Sequence, residues 1–323
     1  MRIGIVGCGL IGKKRAYAAR SHEIRMVADS QPHMAERLAG ELGSEFSTEW
    51  SDVVEADLDA VIVATTHDVL SEICLAAVEN GKHVLVEKPA ARCLAELQPV
   101  VDAAQRLGRT VKVGFNHRFH QAFLRAREIV DSGILGSLMY VKGWYGHGGR
   151  VGYEREWRCV PEISGGGELV DQGSHLVDLA RWFLGDLELV YSSTPTYFWD
   201  VPVDDNCFLA LKSESDQMAW LHASWSEWKN TFCFQIYGRE GKLTIDGLGG
   251  SYGTERLTFH HMLPEMGPPE TTIWEYPFPD RSWELEFENF AQAVATGGEP
   301  LGSLNDASAV LKIIDKAYGR YDK

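Results

Sequence analysis

Gly7-Cys8-Gly9-Leu10-Ile11-Gly12 follows the short apolar run Ile3–Val6 and leads into a stretch with helical spacing. Glycines so spaced between a strand and a helix mark a dinucleotide-binding turn. Gly7 permits the tight turn, Gly9 lets backbone approach a pyrophosphate, and Gly12 lets the helix pack on the strand. Leu10 and Ile11 lie at the helix N-terminus, where free N–H groups and the positive dipole end suit phosphates. Asp29 ends the second apolar run, roughly 20 residues on. Its carboxylate can accept hydrogen bonds from an adenosine ribose, and it would repel a 2′-phosphate. Like charges ~4 Å apart cost about 1 kcal/mol in water and about 4 kcal/mol at an effective dielectric of 20. The cofactor therefore reads as NAD, with NADP as the alternative. Lys13, Lys14 and Arg15 follow the turn and read as a solvated helix face.

Outward from this turn, apolar runs alternate with helix-like stretches. Arg25–Ala28, Ala60–Ala64, His83–Val86 and Thr110–Gly114 are short and rich in β-branched residues, while Met34–Leu42 and Val69–Asn80 carry helical spacing. The alternation predicts an α/β Rossmann domain with a doubly wound parallel sheet over residues 1–120. Past residue 120 the pattern changes. A helix over Ala122–Ser132 ends at Gly133, and strand-like runs follow at Leu138–Tyr145, Cys207–Lys212, Gln217–Ser226, Thr231–Tyr237, Lys242–Asp246 and Arg256–His260. They predict an α+β domain over residues 121–323, with a large open, mainly antiparallel sheet and closing helices at Asp280–Thr296 and Asn305–Tyr318. Trp220, Trp225 and Trp228 fall in or beside this sheet, whose aromatic face either packs on helices or joins subunits. A homodimer or homotetramer is expected.

The 323 residues carry a formal net charge of −15, with no basic run longer than Lys13-Lys14-Arg15. Nucleic acid and anionic membranes are poor partners for such a chain. The six cysteines form no C-x-x-C pair and read as reduced thiols. A basic cluster stands where a signal peptide would be cleaved, so a soluble cytoplasmic protein is expected. No metal is expected either. His117 with His120, and His260 with His261, lack a carboxylate or thiol cluster to complete a zinc site.

Two further features carry chemistry. Lys88, in Val86-Glu87-Lys88-Pro89, stands at the carboxyl end of a strand, where a parallel sheet binds ligands. Alternatively it is a solvated loop lysine. Downstream, Gly165-Gly166-Gly167 leads into a helix bearing Asp171, His175 and Asp178, spaced to share one helical face. A carboxylate beside an imidazole raises its pKa and orients the ring, as a general base requires. The alternative is a capping Asp and a half-buried His.

Together Gly7–Gly12, Glu87-Lys88-Pro89, Gly114-Phe115-Asn116-His117-Arg118-Phe119 and Gly165–Asp178 give the whole chain a resemblance to a family. It resembles the glucose–fructose oxidoreductase, inositol dehydrogenase and MocA (Gfo/Idh/MocA) family of NAD(P)-dependent oxidoreductases. The resemblance implies that Lys88 sits between nicotinamide and substrate and that Asp171 and His175 are the catalytic pair. It implies hydride transfer between nicotinamide and a ring hydroxyl or ketone of a sugar or nucleotide sugar. It places Glu87 beside the cofactor, and Asn116, Arg118 and Asp178 near the substrate. After Val63-Ala64-Thr65 the family commonly has Pro and then His, where this chain has Thr66 and Leu70. Thr65 and Thr66 can still line the dinucleotide. Tyr145, Arg150, Trp157 and Arg158 precede the catalytic stretch and suit a pyranose ring, the arginines being available to a phosphate. A cyclitol dehydrogenase, a redox-neutral epimerase or glycosidase, and a dinucleotide sensor are the alternatives.

Overall fold

The computed structural model describes residues 1–320. Contacts divide the chain into two units. The first comprises residues 1–115, 162–165 and 283–311, and the second residues 116–161, 166–282 and the described residues from 312 on.

The first unit is built on β1 (Arg2–Val6), α1 (Leu10–Ala18), β2 (Glu23–Ala28), α2 (Pro32–Leu42), β3 (Glu45–Ser47), α3 (Trp50–Glu55), β4 (Ala60–Val63), α4 (His67–Glu79), β5 (His83–Val86), α5 (Leu94–Leu107) and β6 (Val111–Val113). Its sheet has the order β3-β2-β1-β4-β5-β6, with every pairing parallel. Strands covered on both faces must be apolar throughout, and the four residues of β4 are all buried. The strand order reverses between β1 and β4, and such a reversal opens a ligand crevice at the carboxyl ends of the strands. β3 and α3 were absent from the sequence expectation. β3 has three residues and α3 six, too few to show a period.

In the second unit, α6 (Gln121–Asp131), β7 (Leu138–Gly146), α7 (Pro161–Ser164) and α8 (Ser174–Leu184) precede the strands β8 (Glu188–Ser193), β9 (Asn206–Lys212), β10 (Met218–Ser224), β11 (Thr231–Gly238), β12 (Gly241–Asp246), β13 (Glu255–His261) and β14 (Glu270–Tyr276); only the first residue of α7 belongs to this unit. The sheet order is β14-β13-β12-β11-β7-β10-β9-β8. Pairing is antiparallel except between β7 and β10, which are parallel. The edge strands β8 and β14 escaped the sequence reading. Both are largely exposed, so neither shows the alternation of a half-buried strand. Trp225 is fully buried, whereas Trp220 and Trp228 stand exposed.

Three expectations need correction. The residues after 120 do not form one continuous domain, because α9 (Ser282–Thr296) and the first part of α10 (Leu304–Ala317) return to the first unit. There Phe287 and Phe290 pack in one core with Ile3, Ile5, Ile62 and Leu85. Arg15 lies on no solvated face, for its side chain is fully buried. Finally, Leu169–Gly173 is wound as a π-helix and passes directly into α8, where one regular helix is expected.

Replacing Phe290 by Ala should cost about 3–5 kcal/mol, read as a lower urea midpoint. Wild-type stability would detach α9 from the first core.

Candidate active site

The first unit presents a glycine cradle. Gly7 has φ +94°, and a Cβ there would lie 2.4 Å from the Ala64 carbonyl oxygen. A Cβ on Gly12 would lie 1.8 Å from the Gly7 carbonyl oxygen, so neither position admits a side chain. A Cβ on Gly9 would meet nothing within 4 Å, which leaves that side of the turn open. Gly9 caps α1 without a side-chain bond, and the first turn holds no acidic residue. Leu10 is exposed at the tip and Ile11 is half-buried. Open amides, bare glycine and no competing carboxylate at the helix end fit a dinucleotide pyrophosphate.

Asp29 stands immediately after β2. Its Oδ2 accepts the Cys8 N–H at 2.8 Å and its Oδ1 the Gln31 N–H at 2.9 Å. The carboxylate is thereby fixed beside the glycine turn. Thr66 caps α4 by position. The Thr66 hydroxyl donates to Asp68 Oδ1 at 2.6 Å, and the Thr65 hydroxyl to the Thr66 carbonyl at 3.2 Å. Leu70 is buried in α4, and the imidazole of this region is His67, with Nδ1 2.8 Å from the Ser164 carbonyl oxygen.

Lys88 follows β5 and is half-buried, with a cis peptide bond to Pro89. Its neighbour Glu87 turns inward. Arg15 Nε donates to Glu87 Oε1 at 2.6 Å. Burial pushes the Glu87 carboxyl above its usual range, against the pull of Arg15. Glu87 thus meets Arg15 within the first unit.

The second unit carries Asp171 and His175. Asp171 Oδ2 accepts Arg158 Nε–H at 3.0 Å. Arg158 lies 3.5 Å from Glu156, and Glu156 also pairs with Arg150 at 2.5 Å. The Arg158 guanidinium covers the Trp157 ring at 4.6 Å. The His175 ring stacks on His117, with centroids 3.7 Å apart and planes 22° apart. Tyr145 lies 5.3 Å from His117 and 6.5 Å from His175, and Tyr252 packs on it edge-on at 5.1 Å. Burial pushes the Tyr145 phenol well above its usual value, so it stays protonated through the physiological range. Burial also lowers the pKa of His147. The Gln172 amide, oriented to satisfy both its ends, donates to Glu168 Oε1 at 2.8 Å and accepts from His147 Nε2 at 3.2 Å.

A buried carboxylate holds the start of this helix. Asp204 Oδ1 accepts the Gly167 N–H at 2.9 Å and the Tyr318 hydroxyl at 2.6 Å, and Oδ2 accepts the Leu169 N–H at 2.8 Å. A Cβ on Gly167 would fall 1.9 Å from the Asp204 carbonyl oxygen, so only glycine fits there.

Three residues expected near substrate have partners within the second unit. Arg118 donates to Asp178 through Nε at 2.8 Å and Nη2 at 2.5 Å, and both side chains are buried. The Asn116 amide donates to the Ser282 hydroxyl at 3.1 Å. Sequence reasoning passed over His117, His147, Gln172 and Tyr252. His117 enters the sequence analysis as a metal candidate and within the 114–119 motif but with no role of its own, and Tyr252 sits in a glycine-rich stretch that reads as a loop. His120 pairs with Glu255 at 2.9 Å.

A parallel sheet with a bare glycine turn at its switch point, and an imidazole-bearing helix in an antiparallel unit, define a two-part dinucleotide-dependent oxidoreductase. Residues 1–115 match the family model described as an oxidoreductase family with an NAD-binding Rossmann fold, and residues 123–244 match the GFO/IDH/MocA C-terminal domain. The chain belongs to the Gfo/Idh/MocA family. It is 29% identical to D-xylose 1-dehydrogenase (NADP(+)) 2 of Haloferax volcanii, over 98% of this chain and 96% of that one. It is 26% identical to inositol 2-dehydrogenase of Rhizobium meliloti, again over 98% and 96%. The fold matches that of levoglucosan dehydrogenase in complex with NADH at a TM-score of 0.87 and 23% identity, covering 99% of this chain and 97% of that one. The protein is an NAD(P)-dependent oxidoreductase. Among the described residues, no helix is long and apolar enough to cross a membrane.

Replacing Asp178 by Asn removes the bidentate carboxylate from the buried Arg118 guanidinium. A stability loss of about 3–5 kcal/mol is expected in chemical denaturation. Unchanged stability with a raised KM would return the pair to substrate binding.

Proposed function

We propose that the protein oxidises one ring hydroxyl of an uncharged sugar, or reduces the corresponding ketone, with NAD as its cofactor. The related dehydrogenases of D-xylose, inositol and levoglucosan support a polyhydroxylated ring as substrate. The observation that carries the choice of an uncharged ring is the pairing around Asp171. Arg150 and Arg158 are already matched by Glu156 and Asp171, so neither guanidinium stands uncommitted toward a phosphate. A nucleotide sugar is therefore less favoured than a free sugar or a cyclitol.

Bound at the cradle, NAD supplies the hydride acceptor. The Gly9–Gly12 amides hold its pyrophosphate, and Asp29 takes the adenosine ribose hydroxyls. Thr65 and Thr66 line the same dinucleotide. His175 accepts the proton of the reacting hydroxyl, since a phenol held protonated like that of Tyr145 cannot. The Lys88 ammonium stabilises charge developing on the same oxygen. Asp171, held by Arg158, orients His175. Tyr145, Trp157 and Arg158 shape the sugar pocket.

The reading includes a homo-oligomer, dimer or tetramer. Trp220, Tyr191 and Ile273 stand exposed in one row across the open face of the second sheet, where a second copy would bury them. A cytoplasmic location suits the six thiols.

The test is a screen of NAD and NADP against free sugars, cyclitols and nucleotide sugars, read by NADH absorbance. Steady NADH formation that falls at least on the order of 100-fold in both Lys88→Ala and His175→Ala is expected. Product without NADH would indicate a redox-neutral reaction, and dinucleotide binding without turnover a sensor. Asp29→Ser should raise relative use of NADP by about tenfold or more. An unchanged cofactor ratio would remove Asp29 from cofactor choice.

A further inference from the structure

Arg15 lies on α1, one turn beyond the glycine cradle, and its side chain is fully buried. Nε and Nη2 stand 2.6 and 2.5 Å from Glu87 Oε1. Nη1 bonds Glu286, a fully buried residue of α9. Lys112 of β6, also fully buried, lies 3.8 Å from Glu286 Oε1 and donates to the Leu301 carbonyl. The Trp283 ring covers the guanidinium at 4.5 Å. Gly114 closes the remaining side, where a Cβ would lie 2.6 Å from Arg15 Nη2. Two cations and two carboxylates from four separate segments are therefore gathered in one buried cluster.

Such a cluster is a costly way to gain stability, because apolar side chains of the same volume commonly do as well or better. What ions add is direction. A guanidinium fork holds a carboxylate in one plane and at one distance. Glu87 is the peptide neighbour of Lys88, so fixing the Glu87 carboxylate fixes the backbone from which Lys88 departs. The same guanidinium belongs to the helix whose N-terminus bears the cradle. One side chain thus ties the cofactor helix to the backbone of the proposed catalytic lysine, and Glu286 holds that side chain from behind.

We infer that Arg15 and Glu286 are positioning residues for Lys88, setting the ammonium relative to the cofactor cradle. The inference rests on the role given to Lys88 above. Neither residue touches substrate, and their effect should fall on the hydride step rather than on binding.

The test uses Arg15→Met, Arg15→Lys and Glu286→Gln in the full chain, with kcat counted per NADH-binding site. A misplacement of the order of 1 Å lowers turnover on the order of 100-fold. Arg15→Met and Glu286→Gln should therefore lower kcat by roughly 10- to 100-fold, with NADH affinity and substrate KM little changed. The primary isotope effect with substrate deuterated at the reacting carbon should rise, because hydride transfer becomes the slower step. Arg15→Lys should recover part of the rate, and in a Lys88→Ala background Arg15→Met should add little. Variants that melt lower but keep the wild-type kcat per site and isotope effect would overturn the inference, leaving the cluster as structure. Glu286→Gln is nearly isosteric and covers the case in which Arg15→Met fails to fold. If Lys88→Ala itself keeps wild-type kcat, the role of Lys88 is wrong and the positioning assignment falls with it.

Discussion

A guanidinium buried between two carboxylates organises the first unit. Arg15 reaches from the cofactor helix to Glu87 at the end of β5 and to Glu286 on α9. An unpaired charge at that depth would be strongly destabilising, so each partner depends on the others being present. The dependence reaches across the sequence, since Glu286 lies 271 residues beyond Arg15. The parallel sheet could form from its own apolar strands. The end of β5, where Lys88 leaves, needs α9, a helix that arrives late in the chain.

A parallel constraint operates in the second unit. Asp204 takes the N–H groups of Gly167 and Leu169, so the helical segment bearing Asp171 starts at a fixed point. The segment then winds as a π-helix before α8 begins. Single π turns commonly mark functional positions, because they re-aim side chains without ending the helix. Here one lies over Asp171, and His175 follows in the first turn of α8, stacked on His117. Each unit thus has a segment fixed by buried carboxylates whose donors come from distant residues.

Much of this was legible in the residues. The strands of the first sheet are short β-branched runs, and backbone that must be buried on both faces leaves that mark. The glycine turn was legible because sterics alone dictate it: side chains at Gly7 and Gly12 would overlap backbone oxygens. Other parts left no local signal. The edge strands β8 and β14 are too exposed to alternate. Arg15 looked like a third member of a basic run, and nothing nearby announced a partner on α9. Arg118 and Asp178 looked like ligand-facing groups, since a bidentate buried pair between residues 60 apart has no sequence signature.

By itself, then, the sequence determined the parallel sheet, the glycine turn and the acidic residue after β2. These follow from local sterics and from periodicity, which act over a few residues. Tertiary structure alone decided which charges are spent inside the protein. It gave Arg15 to Glu87 and Glu286, Arg118 to Asp178, and Arg158 to Asp171. Ion pairing depends on distance and burial rather than on spacing along the chain, so these choices exist only once the chain has folded.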